Sequence, residues 1–154
     1  MSTTTSLNIE WRLRKFDELT TRELYVLLQL RSEVFVVEQQ CVFQDMDGKD
    51  YDSIHLLGWV GDQLAASTRI VPPGVSYIYP SIGRVVTSPA FRGLGMGRLL
   101  MEQSIRETEN LFGKQPIRIG AQLYLKEFYQ SLGFEQSGEV YLEDGIEHIE
   151  MTRS

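Results

Sequence analysis

The sequence predicts a single α/β domain over residues 1–154: a mixed, mostly antiparallel sheet flanked by helices, with one parallel strand pair. Three observations carry this. An alternating segment is followed by a capped amphipathic helix. A strand, a glycine-rich turn, a helix and a second strand succeed one another between 81 and 122. Near the end, Asp144-Gly145 divides an alternating stretch into a hairpin.

The first segment, LNIEWRLRK (7–15), alternates apolar with polar residues as a half-exposed strand does; residues 1–6 read as a polar tail. Thr20 and Glu23 make a capping box, and Leu24, Leu27, Leu28, Arg31, Val34 and Phe35 then recur at helical spacing to about Gln39. QDMDGKDYDS (44–53) reads as a solvated acidic loop that could draw cationic substrates. IHLLGWV and LAASTRIV flank Gly61-Asp62 as a hairpin. Pro72-Pro73-Gly74 breaks the chain, VSYIY reads as a short strand, and SIGRVVTS (81–88) as a buried one. The glycine turn opens a helix reaching about Phe112, and PIRIGAQ (116–122) is the next strand. Because a crossover helix joins 82–87 to 117–122, these two should pair in parallel. A helix over about 123–132 ends at Gly133, with Phe134 packing back on it, before the final hairpin.

Composition narrows the function. A hydrophobic share of 42% fits an ordinary globular core, and a formal net charge of −6 argues against broad nucleic-acid or anionic-membrane binding. The single cysteine, Cys41, excludes an internal disulfide. With no secretory layout at the start and no 18-residue apolar run, a cytoplasmic location is expected.

The chemistry centres on FRGLGMGRLL (91–100). A strand, a glycine turn and a helix start make an anion site, because unpaired amides and the helix dipole point outward together. Gly93, Gly95 and Gly97 let those amides be approached, and Arg92 and Arg98 add full charges. A P-loop would need Lys-Ser/Thr after the last glycine, where Arg98-Leu99 stands, and the dinucleotide fingerprint has a different spacing. Arg-x-x-Gly-x-Gly, read as Arg92, Gly95 and Gly97 behind a strand and Pro89, resembles the acyl-CoA motif of the GNAT N-acetyltransferase superfamily. LKEFYQSLGF (125–134) resembles that superfamily's second signature, and LRSEVFVVEQ (30–39) with YLEDGIEHIEM resembles its ElaA-like branch.

The resemblance implies that the parallel strands splay and that Val85, Val86 and Thr87 offer free backbone groups to the pantetheine arm. Amides from Arg92 through Gly93, Leu94, Gly95, Met96 and Gly97 to Arg98 would wrap the pyrophosphate of acetyl-CoA. Phe128 belongs to the aromatic-tyrosine pair of the second signature, and Gln122 stands where many members carry asparagine. The implied reaction is direct attack of a primary amine, on a small molecule or a protein, upon the thioester in a ternary complex. A backbone N–H near Val86 would face the developing oxyanion. Tyr129 would protonate the departing thiolate, a phenol of pKa ~10 against a thiol of ~8.5.

Glu38, Glu143 and His148 are candidate bases for the amine, with Glu38 first, because a carboxylate near a helix's apolar face needs a partner or a task. Arg31, one heptad earlier and roughly 10 Å away along the axis, is its expected partner. Arg31, Glu143 and His148 are the expected substrate contacts. No metal is expected: DMDGKDYD lacks calcium-loop spacing, and two histidines with one cysteine make no zinc set. Cys41 reads as a small packing residue, and Trp11 and Trp59 as sheet anchors. Competing readings are an acyl-CoA-sensing module without turnover and an acyl-homoserine-lactone-synthase-like enzyme using S-adenosylmethionine. Either a monomer or a homodimer paired through the terminal hairpin is compatible with the sequence.

Overall fold

The computed structural model describes residues 8–154, so the expected tail and Leu7 lie outside the described residues. Strands β1 (Glu10–Lys15), β2 (Ile54–Val60), β3 (Gln63–Val71) and β4 (Ser81–Thr87) form one antiparallel sheet in chain order. Trp11 lies flat against Gly58 of β2, where any side chain would collide with its ring. Strands β5 (Ile117–Gln122), β6 (Phe134–Glu143) and β7 (Ile146–Arg153) form a second sheet in the order β5-β7-β6. Asp144 (φ 52°) and Gly145 (φ 77°) supply the two left-handed residues that a tight hairpin turn requires.

Helix α1 (Thr21–Arg31) starts at the expected capping box: Thr20 Oγ1 accepts from the Glu23 amide at 3.0 Å, and Glu23 Oε1 accepts from the Thr20 amide at 2.9 Å. It continues to Glu38 with wider, π-helical turns over Ser32–Glu38. Leu27, Leu30, Val34 and Phe35 pack with Leu57, Trp59, Leu64 and Val86. Helix α2 (Met96–Phe112) buries Leu100 against Leu56, Ala65 and Ala66, and Met101 and Ile105 against Ile82, Ile117, Ile119 and Ile149. The expected helix over 123–132 is a 3-10 turn, Leu123–Leu125, followed by α3 (Lys126–Gln130), and Gly133 (φ 95°) ends it.

Three expectations are corrected. The strands 82–87 and 117–122 splay, as the resemblance implied, but the expected pairing is not a parallel ladder. One backbone bond, from the Arg118 amide to the Pro80 carbonyl at 3.1 Å, joins their starts, and beyond it they part. The cause is a bulge in β4: Arg84 and Val85 together oppose Thr68, and a bulge bends its strand. VSYIY is a run of turns and bends, because Gly74 (φ 91°) bonds back to Tyr77 while Tyr77 and Tyr79 pack over the Arg118 guanidinium. The acidic segment is solvated only in part: Gln44, Asp47 and Asp52 are exposed. Asp45 and Asp50 are buried against arginines. Among the described residues, no helix is long and apolar enough to cross a membrane.

Candidate active site

A cleft of about 660 Å³ opens where β4 and β5 diverge. Its floor is the strand edge from Ile82 to Thr87, and Gln122, Phe128 and Tyr129 line one wall. The opposite walls come from the end of the π-helical segment, from Cys41, Phe43 and Lys49, and from the tip of the β6–β7 hairpin. The Cys41 thiol donates to the Asp144 carbonyl at 3.2 Å, so the cysteine ties that tip to the N-terminal half across the cleft.

The glycine turn lies at the mouth. Gly93 (φ 80°) and Gly95 (φ 74°) are both left-handed, and a methyl group at either would meet nothing within 4 Å. Backbone conformation, and not tight packing, therefore demands these glycines. Gly95 caps α2, leaving the first-turn amides of Met96, Gly97 and Arg98 without helical acceptors. Met96 contributes that amide alone, since its side chain is buried in the core. Gly97 lines the cleft, with only the Phe128 ring near it. Gly95→Ala should lose about 1–2 kcal/mol of stability through left-handed strain, whereas Gly97→Ala should lose none; urea denaturation of both separates conformation from crowding.

Strand alternation decides which backbone groups are free. The Ser88 amide bonds to the Ala65 carbonyl at 2.8 Å, so the Ser67–Val86 pair two residues back turns its groups toward each other. Thr87 then faces the open side, and Arg92 reaches the Thr87 carbonyl from there at 3.4 Å; Val85, within the bulge, lines the cleft. Of the three matched residues, Val86 is therefore corrected: its backbone serves β3 and its side chain the core.

Two more expectations change. Arg31 is 1% exposed and lies off the cleft: its Nε meets Asp45 at 2.8 Å and its fork grips Asp50 at 2.8 and 3.1 Å. The wider turns after Arg31 separate it from Glu38, which lies at the cleft mouth and pairs with Arg92 at 2.6 Å. That bond holds the Glu38 carboxyl below its usual range. Glu38 therefore lines the cleft paired with Arg92 and not, as expected, with Arg31.

His148 and Tyr129 do meet the cleft. His148 is 8% exposed, and its Nδ1 lies 2.8 Å from the Ile146 carbonyl, to which it must donate. In its neutral form the ring then carries a lone pair on Nε2, 3.5 Å from Glu143. Tyr141 stacks on the ring at 5.7 Å, and burial with Tyr77, Glu143 and Glu150 nearby pushes its phenol up to about 12. Tyr129, 5% exposed, packs edge-on against Phe128 and Phe134. Its hydroxyl has no hydrogen-bond partner among the described residues, and burial raises its pKa well above the ordinary phenol value, so it holds its proton. Gln122 sits opposite His148 in the β5–β7 register and lines the same wall.

Sequence reasoning missed Tyr77, Tyr141 and Arg84. Counting back from the Asp144-Gly145 turn would have paired Tyr141 with His148; nothing local marks the other two.

Residues 22–154 match the family described as "acetyltransferase (GNAT) domain". This chain belongs to the GNAT family. The match covers the glycine turn, both diverging strands and the terminal hairpin. Among relatives, this GNAT chain is 46% identical to ElaA of Escherichia coli strain K12 over 147 residues, covering 94% of this chain and 96% of ElaA. The crystal structure of E. coli ElaA superposes with a TM-score of 0.88 at 44% identity, covering 95% of this chain and 99% of that one. An acyl-CoA N-acyltransferase from Pseudomonas aeruginosa gives 0.91 at 44% identity, over 96% and 100%. A GNAT acetyltransferase from Elizabethkingia anophelis with acetyl-CoA bound shares the fold at 18% identity and a TM-score of 0.65, over 95% and 97%. Acyl transfer from an acyl-CoA donor is the chemistry of this family, and the ElaA-like branch is the part of it to which this chain is closely similar.

Proposed function

We propose that this protein transfers an acetyl group from acetyl-CoA to a primary amine within a ternary complex. The observation that carries the reading is the convergence on one cleft of a free strand edge, an amide-rich glycine turn, a partnerless phenol and an imidazole with its lone pair available. The acetyl-CoA bound to the E. anophelis neighbour supports the choice of donor.

The residues present fit that donor. Two left-handed glycines with open space above them admit a pyrophosphate to the amides of Met96, Gly97 and Arg98, with the Arg92 and Arg98 charges alongside. The Thr87 edge pairs with the pantetheine arm, and the Val85 amide is the donor for the acyl oxygen. When bound, acetyl-CoA supplies an activated acyl carbon and a thiol leaving group. His148 takes the proton of the incoming ammonium at Nε2, with Glu143 drawing the cation toward it. Tyr129 holds a proton at its hydroxyl for the departing sulfur, a transfer that burial makes more uphill than for an ordinary phenol. The single cysteine and the acidic charge fit a cytoplasmic enzyme.

Acetyl-CoA at a hundredfold its Kd should add about 2.7 kcal/mol to the folded state, seen as a raised melting temperature. CoA should do likewise, and NADH and S-adenosylmethionine should not. Thiol release with a panel of amines then tests turnover. Stabilisation without release from any amine would favour the sensing module, and no stabilisation by a CoA species would end the reading.

A further inference from the structure

Among the described residues, Arg84 is the one non-glycine residue inside a strand whose backbone is left-handed (φ 46°). Gly83, beside it, needs no such conformation, so the residue best suited to the strain does not carry it. Something other than local preference must hold the kink.

The surrounding charges form a closed ring. Arg84 Nη2 donates to the Asp45 carbonyl at 2.7 Å, and its Nε lies 2.8 Å from Asp45 Oδ1, off line for a hydrogen bond and so a contact of charge. Asp45 Oδ2 accepts from Arg31 Nε at 2.8 Å, and the Arg31 fork holds Asp50. Asp50 accepts from Arg69 at 3.2 Å, and Arg69 grips both oxygens of Asp47 at 2.8 and 2.9 Å. Asp47 closes the circuit on Arg84 at 3.5 Å. Three arginines and three aspartates alternate in sign, joining α1, the 45–50 loop, β3 and β4.

Buried ion pairs of this kind are weak evidence for a stability role, because apolar residues of similar volume often do as well. Geometry at one point is what such a lattice can supply. Arg84 immediately precedes Val85, which lines the cleft, and Val85 and Arg84 share Thr68 as partner across the bulge. We propose that the ring is a clasp that holds the bulge of β4, and that Arg84 is a positioning residue that aims the Val85 and Thr87 backbone groups for acyl transfer. The proposal rests on the acetyltransferase reading above.

Arg84→Gly tests it, since glycine accepts the left-handed backbone while removing the clasp. We expect kcat to fall about 10- to 100-fold, as misplacement by an ångström can produce, with the KM for acetyl-CoA changed less than about threefold. Arg84→Lys, which keeps a charge but not the fork, should recover part of the loss. Asp47→Asn, at the half-exposed side of the ring, should fold and shift kcat in the same direction. In amide NMR spectra, the Val85 and Thr87 signals should move in Arg84→Gly while those of β7 stay in place. Wild-type kcat and unmoved Val85 and Thr87 signals in a folded Arg84→Gly protein would overturn the clasp. A fall in kcat matched by the unfolded fraction at the assay temperature would do so equally. The NMR readout needs no turnover, so it stands even if the wild type releases no thiol, an outcome that counts against the acetyltransferase reading alone.

Discussion

Tyr129→Phe should lower kcat by about 10²–10⁴-fold, the range typical for loss of a positioned proton donor, while leaving stability and acetyl-CoA stabilisation nearly unchanged. The structure makes this a clean substitution. The Tyr129 hydroxyl bonds to no described residue, so its removal orphans nothing. The ring keeps its edge-on contacts with Phe128 and Phe134 at 5.2 and 5.9 Å. Burial raises the phenol's pKa, so the alkaline limb of a pH–rate profile near neutrality should belong to another group. An unchanged kcat in the phenylalanine variant would mean that the leaving sulfur takes its proton from elsewhere.

Arg31→Met should cost about 3–5 kcal/mol, because it strands two buried carboxylates, Asp45 and Asp50, without their shared cation. For a domain of this size each kcal/mol lowers the melting temperature by about 2–4 °C, so a fall of roughly 6–20 °C is expected. The same ring sets the acid limit of the native state. Burial works to raise the Asp47 and Asp50 carboxyls, but the arginine bonds and charges outweigh it and hold both below the ordinary aspartate value. Folded pKa values below the unfolded ones stabilise above the unfolded pKa, and that stability drains as pH falls below about 4. His55 adds an earlier loss. Buried, with Nε2 donating to the Asp50 carbonyl at 3.0 Å, it has a lowered pKa and stays neutral in the fold. The unfolded chain therefore binds its proton first, and stability should begin to drop below about pH 6.5. Urea midpoints between pH 8 and 3 check both steps; a flat profile to pH 3 would contradict the ring's assigned electrostatics.

Much of the molecule was legible because the signals were local. Thr20 and Glu23 announce a capping box that needs only neighbouring residues to form, and Asp144-Gly145 announces a hairpin by backbone preference alone. The left-handed φ of Gly93 and Gly95 is likewise a property of the turn, which is why a glycine turn at a helix start was legible in the string. Tyr129 was placed by its motif, and His148 by alternation on the last strand.

Other features depend on partners far along the chain. Arg31 and Glu38 look like companions one heptad apart, yet π-helical turns send one into the core to Asp45 and Asp50 and the other to Arg92. The segment 45–50 looks solvated because acidic runs usually are, but arginines on α1, β3 and β4 converge on it only in three dimensions. VSYIY has strand composition, but its aromatic rings find the Arg118 guanidinium and no strand forms.

The sequence by itself determined the order of elements, the glycine turn and the family, since turns, caps and motif spacing are written within a few residues of one another. Tertiary structure alone decided that β4 and β5 part into a cleft, that the Val86 backbone pairs with β3 while that of Thr87 lies open, and which charges are paired. Those outcomes depend on packing and on Coulombic contacts between residues tens of positions apart, whose energies exist only once the chain has brought them together.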